Sequence, residues 1–205
     1  MITFRLLNEN PLYDYREACK ITQGITMGDK ERKFKPKDEV EYWIKQIVAR
    51  HSTIRTVTFV MNAEAPKSVV MQIIRATKGA AQPYVQASRP DWTGKERSND
   101  PYELKMFMQK HTAESFVEMA KQRLCNRTEA RTRKFMNEAV KVLKDSDVPF
   151  FKALGFCCHP ACWWLGSCPE IKSCNEDMEK TSDIIISNYR CEEKKEWLTL
   201  KATEK

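Results

Sequence analysis

Apolar positions recur along this chain with two periods, and the switches between them mark its elements. Ile2 to Leu7 alternates loosely and predicts a short strand, closed by the turn-forming run Asn8-Glu9-Asn10-Pro11. Leu12, Tyr15, Ala18 and Cys19 fall at helical spacing and predict a helix over Tyr13 to Cys19. Ile21 to Pro36 carries Gly24, Gly28 and several charges and reads as a loop. Asp38 stands where it can cap a second helix, whose Val40, Trp43, Ile44, Ile47 and Val48 form one apolar stripe ending near Arg50-His51. Ile54 to Met61 is β-branched and aromatic and predicts a strand. Pro66 then opens a helix, with Ser68 in its first turn and Val69, Val70, Ile73 and Ile74 as its apolar side.

Residues 93–101 read as loop. Two long helical segments are expected after it. Tyr102 to about Leu124 carries Leu104, Phe107, Met108, Phe116, Met119 and Ala120, with a break near His111-Thr112. Thr128 to Leu143 carries Phe135, Met136, Ala139, Val140 and Leu143. Strand, helices, strands and then helices predict an α+β domain, a mixed sheet flanked by helices, rather than repeated βαβ units. Residues 1–150 form the main body of this domain, and residues 151–205 are its Cys-rich C-terminal extension. Asp183 to Tyr189 predicts a last short strand.

The 205 residues suit one domain, and 41% apolar content is enough for a real core. Net charge is 35 − 28 = +7, which favours anionic partners. The charge is spread without a block of like sign, so a phosphorylated small molecule accounts for it as well as nucleic acid does. No run approaches the roughly 18 apolar residues of a membrane span. The N-terminus lacks the apolar core and cleavage site of a signal peptide, so a cytoplasmic protein is expected. Cysteines in that setting act as thiols or metal ligands rather than disulfides.

Candidate chemistry concentrates between Met71 and Trp92. Gln72, Arg75, Gln86, Ser88 and Arg89 supply two guanidiniums, a hydroxyl and two amides over a short length of chain. That set suits an anion, because Arg presents a planar fork of donors to phosphate and Ser and Gln add neutral donors. The same residues also read as an ordinary solvated helix end and loop. The segment Phe150 to Cys174 is a second concentration. Cys158, Cys162, Cys168 and Cys174, with His159, contain enough donors for a tetrahedral zinc site. Their spacing is not that of paired Cys-x2-Cys ligands, and thiols packing against Trp163 and Trp164 are the preferred reading.

Taken in order, several segments resemble the flavin-dependent thymidylate synthases, most nearly their short clostridial and phage-type members. In that family a helix ending in Gly-His precedes a strand, a Ser-bearing turn, a Gln-x-x-Arg-His-Arg segment and a Ser-x-Arg-Tyr segment. The corresponding residues here are Arg50-His51-Ser52-Thr53, Ser68, Gln72 to Arg75-Ala76-Thr77, and Gln86-Ala87-Ser88-Arg89. Arg123 and the run to Glu129 and Arg131 stand where the family has an Arg and an Ala-Gln-Trp-Glu-type helix. Cys162, Cys168-Pro169-Glu170 and Cys174-Asn175 follow the Cys-rich end of some members. The match runs from Asn10 to Cys174. It departs at Ala76 and Thr77, which replace His and Arg, and at Pro90, which replaces Tyr.

The resemblance implies transfer of a one-carbon unit from 5,10-methylenetetrahydrofolate to C5 of a pyrimidine deoxynucleotide, dUMP or a relative. FAD would supply hydride and NADPH would re-reduce it, in a homotetramer with active sites between subunits. By the same resemblance Arg123 is the catalytic cation beside the pyrimidine. Gln72, Gln86, Ser88, Arg89 and Arg123 bind the substrate, and His51, Thr53, Arg75 and Thr77 face the flavin. Hydroxymethylation of a pyrimidine nucleotide is a neighbouring chemistry that local changes would reach. The alternative is the same scaffold without the flavin reaction. It would hold a nucleotide or nucleic acid through Arg75, Arg89, Arg97, Arg123 and Arg127, with Trp92 as a stacking surface.

Overall fold

The computed structural model describes residues 1–26, 34–77, 81–94, 96–171 and 173–174. Its centre is an antiparallel sheet in the order β1-β2-β4-β3. The strands are β1 Ile2–Leu6, β2 Thr58–Pro66, β3 Gln82–Val85 and β4 Leu104–Thr112. The helices are α1 Pro11–Thr22, α2 Glu39–Ala49, α3 Lys67–Thr77, α4 Pro90–Thr93, α5 Ala113–Arg123, α6 Ala130–Lys144, α7 Pro149–Cys157 and α8 Ala161–Leu165.

The α+β class is as expected, but the sheet is not mixed. Every pairing is antiparallel: Phe4 opposes Met61, Met61 opposes Gln109, and Pro83 opposes Gln109 from the other side. The register sends Phe59, Met61, Ala63 and Ala65 to one face together with Phe107, Gln109 and His111, all buried. Helices α3 and α5 cover that face, α6 reaches β1, and α7 packs against α2 and α6. Phe59 is the hub, with ring centroids 5.7 Å from His111, 5.8 Å from Phe116 and 5.6 Å from Phe151.

Local signals account for most element ends. Asn10 accepts from Tyr13 N at 3.0 Å and caps α1, with Pro11 in the first turn. Asp38 caps α2 as its position predicts, accepting from Glu41 N at 2.8 Å. Arg50 ends that helix in the left-handed conformation, φ 55°. Ser52–Thr56 is a 3-10 turn, so β2 starts at Thr58, later than the composition of Ile54 to Met61 implies. Pro66 closes β2 rather than opening α3, and Lys67 N donates instead to Glu103 O at 2.9 Å.

The largest departure is at Tyr102 to Leu124. The expected helix is a strand, β4, and the break foreseen near His111-Thr112 is the strand-to-helix junction. There Thr112 and Ser115 exchange capping bonds that start α5. Residues 82–85, unassigned by periodicity, form the edge strand β3. The predicted loop at Ile21 to Pro36 lies partly, and the predicted strand at Asp183 to Tyr189 wholly, outside the described residues.

Candidate functional site

Helices α3 and α5 lie side by side on the buried face of the sheet. Arg75 stands in the last turn of α3 and Arg123 is the last residue of α5. The two are close enough that Arg75 helps to lower the pKa of Arg123, although burial is the larger cause. The Nε of Arg123 is buried and has no hydrogen-bond partner. Among the described residues no carboxylate pairs with either guanidinium. A buried, unsatisfied N–H on a cation beside a second cation is costly unless an anion completes it. Gln72, one helical turn before Arg75, shares its side of α3 and is half-buried. The two guanidiniums offer donors only, and Gln72 adds an amide one turn away on α3.

The remaining expected residues stand on other elements or make other contacts. Ser88 and Arg89 lie between β3 and α4. Arg89 is engaged locally, donating to both oxygens of Asp91 at 3.2 and 2.6 Å, with its guanidinium 4.9 Å from the Trp92 ring centre. Gln86 extends the β3–β4 pairing: its N donates to Met106 O at 2.9 Å, and its Oε1 accepts from Met106 N at 3.2 Å. The Gln86 side chain therefore serves the sheet. Thr77 is buried, and its hydroxyl donates its one proton to Ile74 O at 2.7 Å.

His51 and Thr53 sit elsewhere. His51 is exposed at the start of the 3-10 turn, and Thr53 Oγ1 accepts from the Cys19 thiol at 3.3 Å. Their turn is tied to the first turn of α5 by Arg55 with Glu114, and Arg50 just before it pairs with Glu118 midway along that helix. Glu114 and Arg123 are separated by about 13 Å of helix axis at the α-helical rise. The residues expected to face a flavin are thus divided between the two ends of α5, with Arg75 at the Arg123 end.

Sequence reasoning missed a second polar group, on the core side of β4. His111 is buried, with Nδ1 3.2 Å from Ser115 Oγ and Nε2 3.3 Å from Gln109 Oε1. Burial pushes its pKa down to about 3, so the ring is neutral. The adjacent Gln109 Nε2 is buried without a partner. Lys105 is also buried, and it donates to Glu103 at 2.6 Å. The signal was present as alternation in Lys105, Phe107, Gln109 and His111, but the polar members point inward and the apolar Leu104 and Met106 point outward.

In the Cys-rich segment, Cys157 and Cys158 are buried, and desolvation raises both thiols far above the ordinary range. His159 stacks on Trp163 with ring centres 4.4 Å apart, and burial draws its pKa down to about 4. No group of three metal-ligating side chains gathers among the described residues.

No protein-family model matches this sequence, and no curated protein does. Among solved structures, the crystal structure of thymidylate synthase X from Helicobacter pylori with FAD and dUMP aligns with a TM-score of 0.53. The fold resembles that of thymidylate synthase X. The alignment covers 75% of this chain and 99% of that one, at 10% identity. At that identity the likeness establishes the fold. No helix among the described residues is long and apolar enough to cross a membrane.

Proposed function

We propose that this chain binds a pyrimidine deoxynucleotide, dUMP or a close relative, at the Gln72–Arg75–Arg123 cluster. On that scaffold it carries out one-carbon transfer to C5 of the base, in the manner of the flavin-dependent thymidylate synthases. The observation that carries the reading is the buried, partnerless Nε of Arg123 beside Arg75. A phosphate or an anionic pyrimidine edge supplies the acceptors that this pair lacks, and Gln72 adds a neutral donor. The fold likeness to a protein crystallised with FAD and dUMP supports the nucleotide class.

Arg123 is the residue proposed to act on the reacting base. A cation fixed beside the pyrimidine carbonyls stabilises negative charge there as electron density is drawn through C5. Arg123 is half-buried with its Nε shielded from water, and that partial desolvation strengthens the effect. Ser88 and Arg89 are proposed to hold the nucleotide phosphate once Arg89 is released from Asp91. 5,10-Methylenetetrahydrofolate is the proposed one-carbon donor, and NADPH the proposed reductant.

For FAD the fit is partial. Arg75 suits a flavin phosphate, but Thr77 is spent inside its own helix and His51 with Thr53 lies at the far end of α5. When bound, the flavin would supply hydride to the one-carbon unit. A complete flavin site requires residues from both ends of α5, or from a second copy of the chain. This division favours a second reading, a nucleotide-holding protein on the same scaffold without the flavin reaction.

The test is an absorbance spectrum of the purified protein with FAD and dUMP, followed by a C5-modification assay with methylenetetrahydrofolate. Stoichiometric flavin and a modified pyrimidine support the enzyme. Nucleotide binding without flavin selects the second reading, and absence of pyrimidine nucleotide binding overturns both.

A further inference from the structure

The chain's excess of positive charge gathers on one segment. Residues 121–144, from the last turn of α5 to the end of α6, hold eight Lys or Arg and two Glu, which is 8 − 2 = +6 of the chain's +7. Helix α6 turns its apolar stripe, Phe135, Met136, Ala139, Val140 and Leu143, into the core. Its opposite side is exposed and carries Arg131, Lys134, Asn137, Glu138 and Lys141. A shallow groove of about 440 Å³ lies along this side from Ala130 to Lys141.

A charged helix face is ordinarily solvated, with its charges paired at spacings of three and four residues. Here they are not paired. Glu129 is used as the cap of α6, accepting from Arg131 N at 3.1 Å and from Thr132 N at 2.8 Å. Glu138 lies between Lys134 and Lys141 along the helix and pairs with neither. Arg131, Arg133, Lys134 and Lys141 form no ion pair among the described residues. Arg133 instead ties down the preceding loop, donating to Asn126 Oδ1 at 2.5 Å. At the start of the row the Arg131 guanidinium lies over the Tyr102 ring, 4.1 Å from its centre, and Tyr102 is 55% exposed. An unpaired basic row, about 15 Å long at the α-helical rise, thus begins at a flat cation–aromatic pair.

We infer that this face of α6 binds a single-stranded nucleic acid, with phosphates on Lys134 and Lys141 and a base against the Arg131–Tyr102 pair. Unpaired Lys and Arg answer the charge of the sugar–phosphate backbone. Aromatic rings and guanidinium planes stack on unpaired bases, which a duplex keeps inside its own stack. An anionic membrane surface fits less well. Helix α6 buries its apolar side, and Val142, at 39%, is its one large apolar side chain left exposed among the described residues. The surface is distinct from the Arg75–Arg123 site, and the inference stands whether or not that site takes a nucleotide.

The test is fluorescence anisotropy of labelled mixed-sequence oligonucleotides of about 20 nucleotides, titrated with the full chain over a range of salt. Single-stranded DNA, single-stranded RNA and a duplex are compared. At least one kind of single strand is expected to bind more tightly than the duplex and to weaken steeply as salt rises. Lys134→Gln combined with Lys141→Gln should cut the salt slope by about 1.4, or about 0.7 for each lost phosphate contact. Tyr102→Ala should weaken binding at least about fivefold and leave the slope unchanged. Glu138→Gln, which removes the opposing carboxylate, should tighten it. All four positions are exposed, and thermal melts verify that each variant folds. No binding of single strands, tighter binding of the duplex, or Lys and Tyr102 variants that bind like the wild type would each overturn the inference. Binding to anionic vesicles without binding to any oligonucleotide would assign the face to a lipid surface and overturn it as well.

Discussion

Arg123 and Arg75 carry like charge at adjoining helix ends, and no carboxylate among the described residues offsets it. Repulsion of this kind lowers the stability of the ligand-free protein slightly and is repaid when an anion arrives. Arg75→Gln should therefore leave ligand-free stability unchanged or raise it by about 0.5 kcal/mol. The same change should weaken dUMP binding roughly tenfold, by loss of a charge-assisted donor. Chemical denaturation and calorimetric titration of the variant check the two halves separately. His111 makes a different kind of prediction. Burial holds its folded pKa near 3, below the ordinary value of 6.5. Between those values the unfolded chain takes up a proton that the folded chain refuses, so stability is full above pH 6.5 and falls as pH drops toward 3. His159, lowered to about 4, acts in the same direction over a narrower window. His111→Asn should cost about 1–3 kcal/mol at neutral pH through the lost ring packing and bonds. It should also flatten the fall in stability between pH 6.5 and 4, which denaturation across that range would register.

Elements whose two signals agree were legible from the sequence, and those whose signals conflict were not. Helix α2 has a capping Asp38 and an uninterrupted apolar stripe, and the structure keeps both. Strand β4 reads as helix because Leu104, Phe107 and Met108 also fit helical spacing, while its buried side is built of Lys105, Gln109 and His111. A buried face with polar members defeats a reading that equates apolar with inside. Strand β3 has no buried residue and so carries no pattern to detect. A similar conflict yields a prediction at Gly155, in the last turn of α7. Helix propensity says that Gly→Ala should stabilise by about 1 kcal/mol. An added Cβ, however, would lie 2.8 Å from the backbone N and the Cγ of Lys144 on α6. The close helix crossing should win, and Gly155→Ala should destabilise by about 1–3 kcal/mol. Thermal denaturation gives the sign directly.

For the molecule as a whole, the fold class could be read from the order of elements, and the resemblance in motif order agrees with the fold likeness to thymidylate synthase X. The site was legible only in part. Residue types and order pointed to Arg75 and Arg123, which the packing of α3 on α5 brings within electrostatic reach of each other, and to Gln72 one turn earlier on α3. Sequence could not reveal that Thr77 turns inward, that Gln86 is used by the sheet, or that Arg89 is held by Asp91. Those outcomes depend on which neighbours the tertiary fold supplies. Sequence also could not place His51 and Thr53 at the opposite end of α5 from Arg123. The central claim is that the paired guanidiniums at the ends of α3 and α5 form a nucleotide site. Its most direct measurement is calorimetric titration of the full chain with dUMP, alongside the Arg123→Gln variant. The wild type should bind saturably, and the substitution should lower affinity at least about tenfold. No binding by the wild type, or equal affinity in Arg123→Gln, would contradict it.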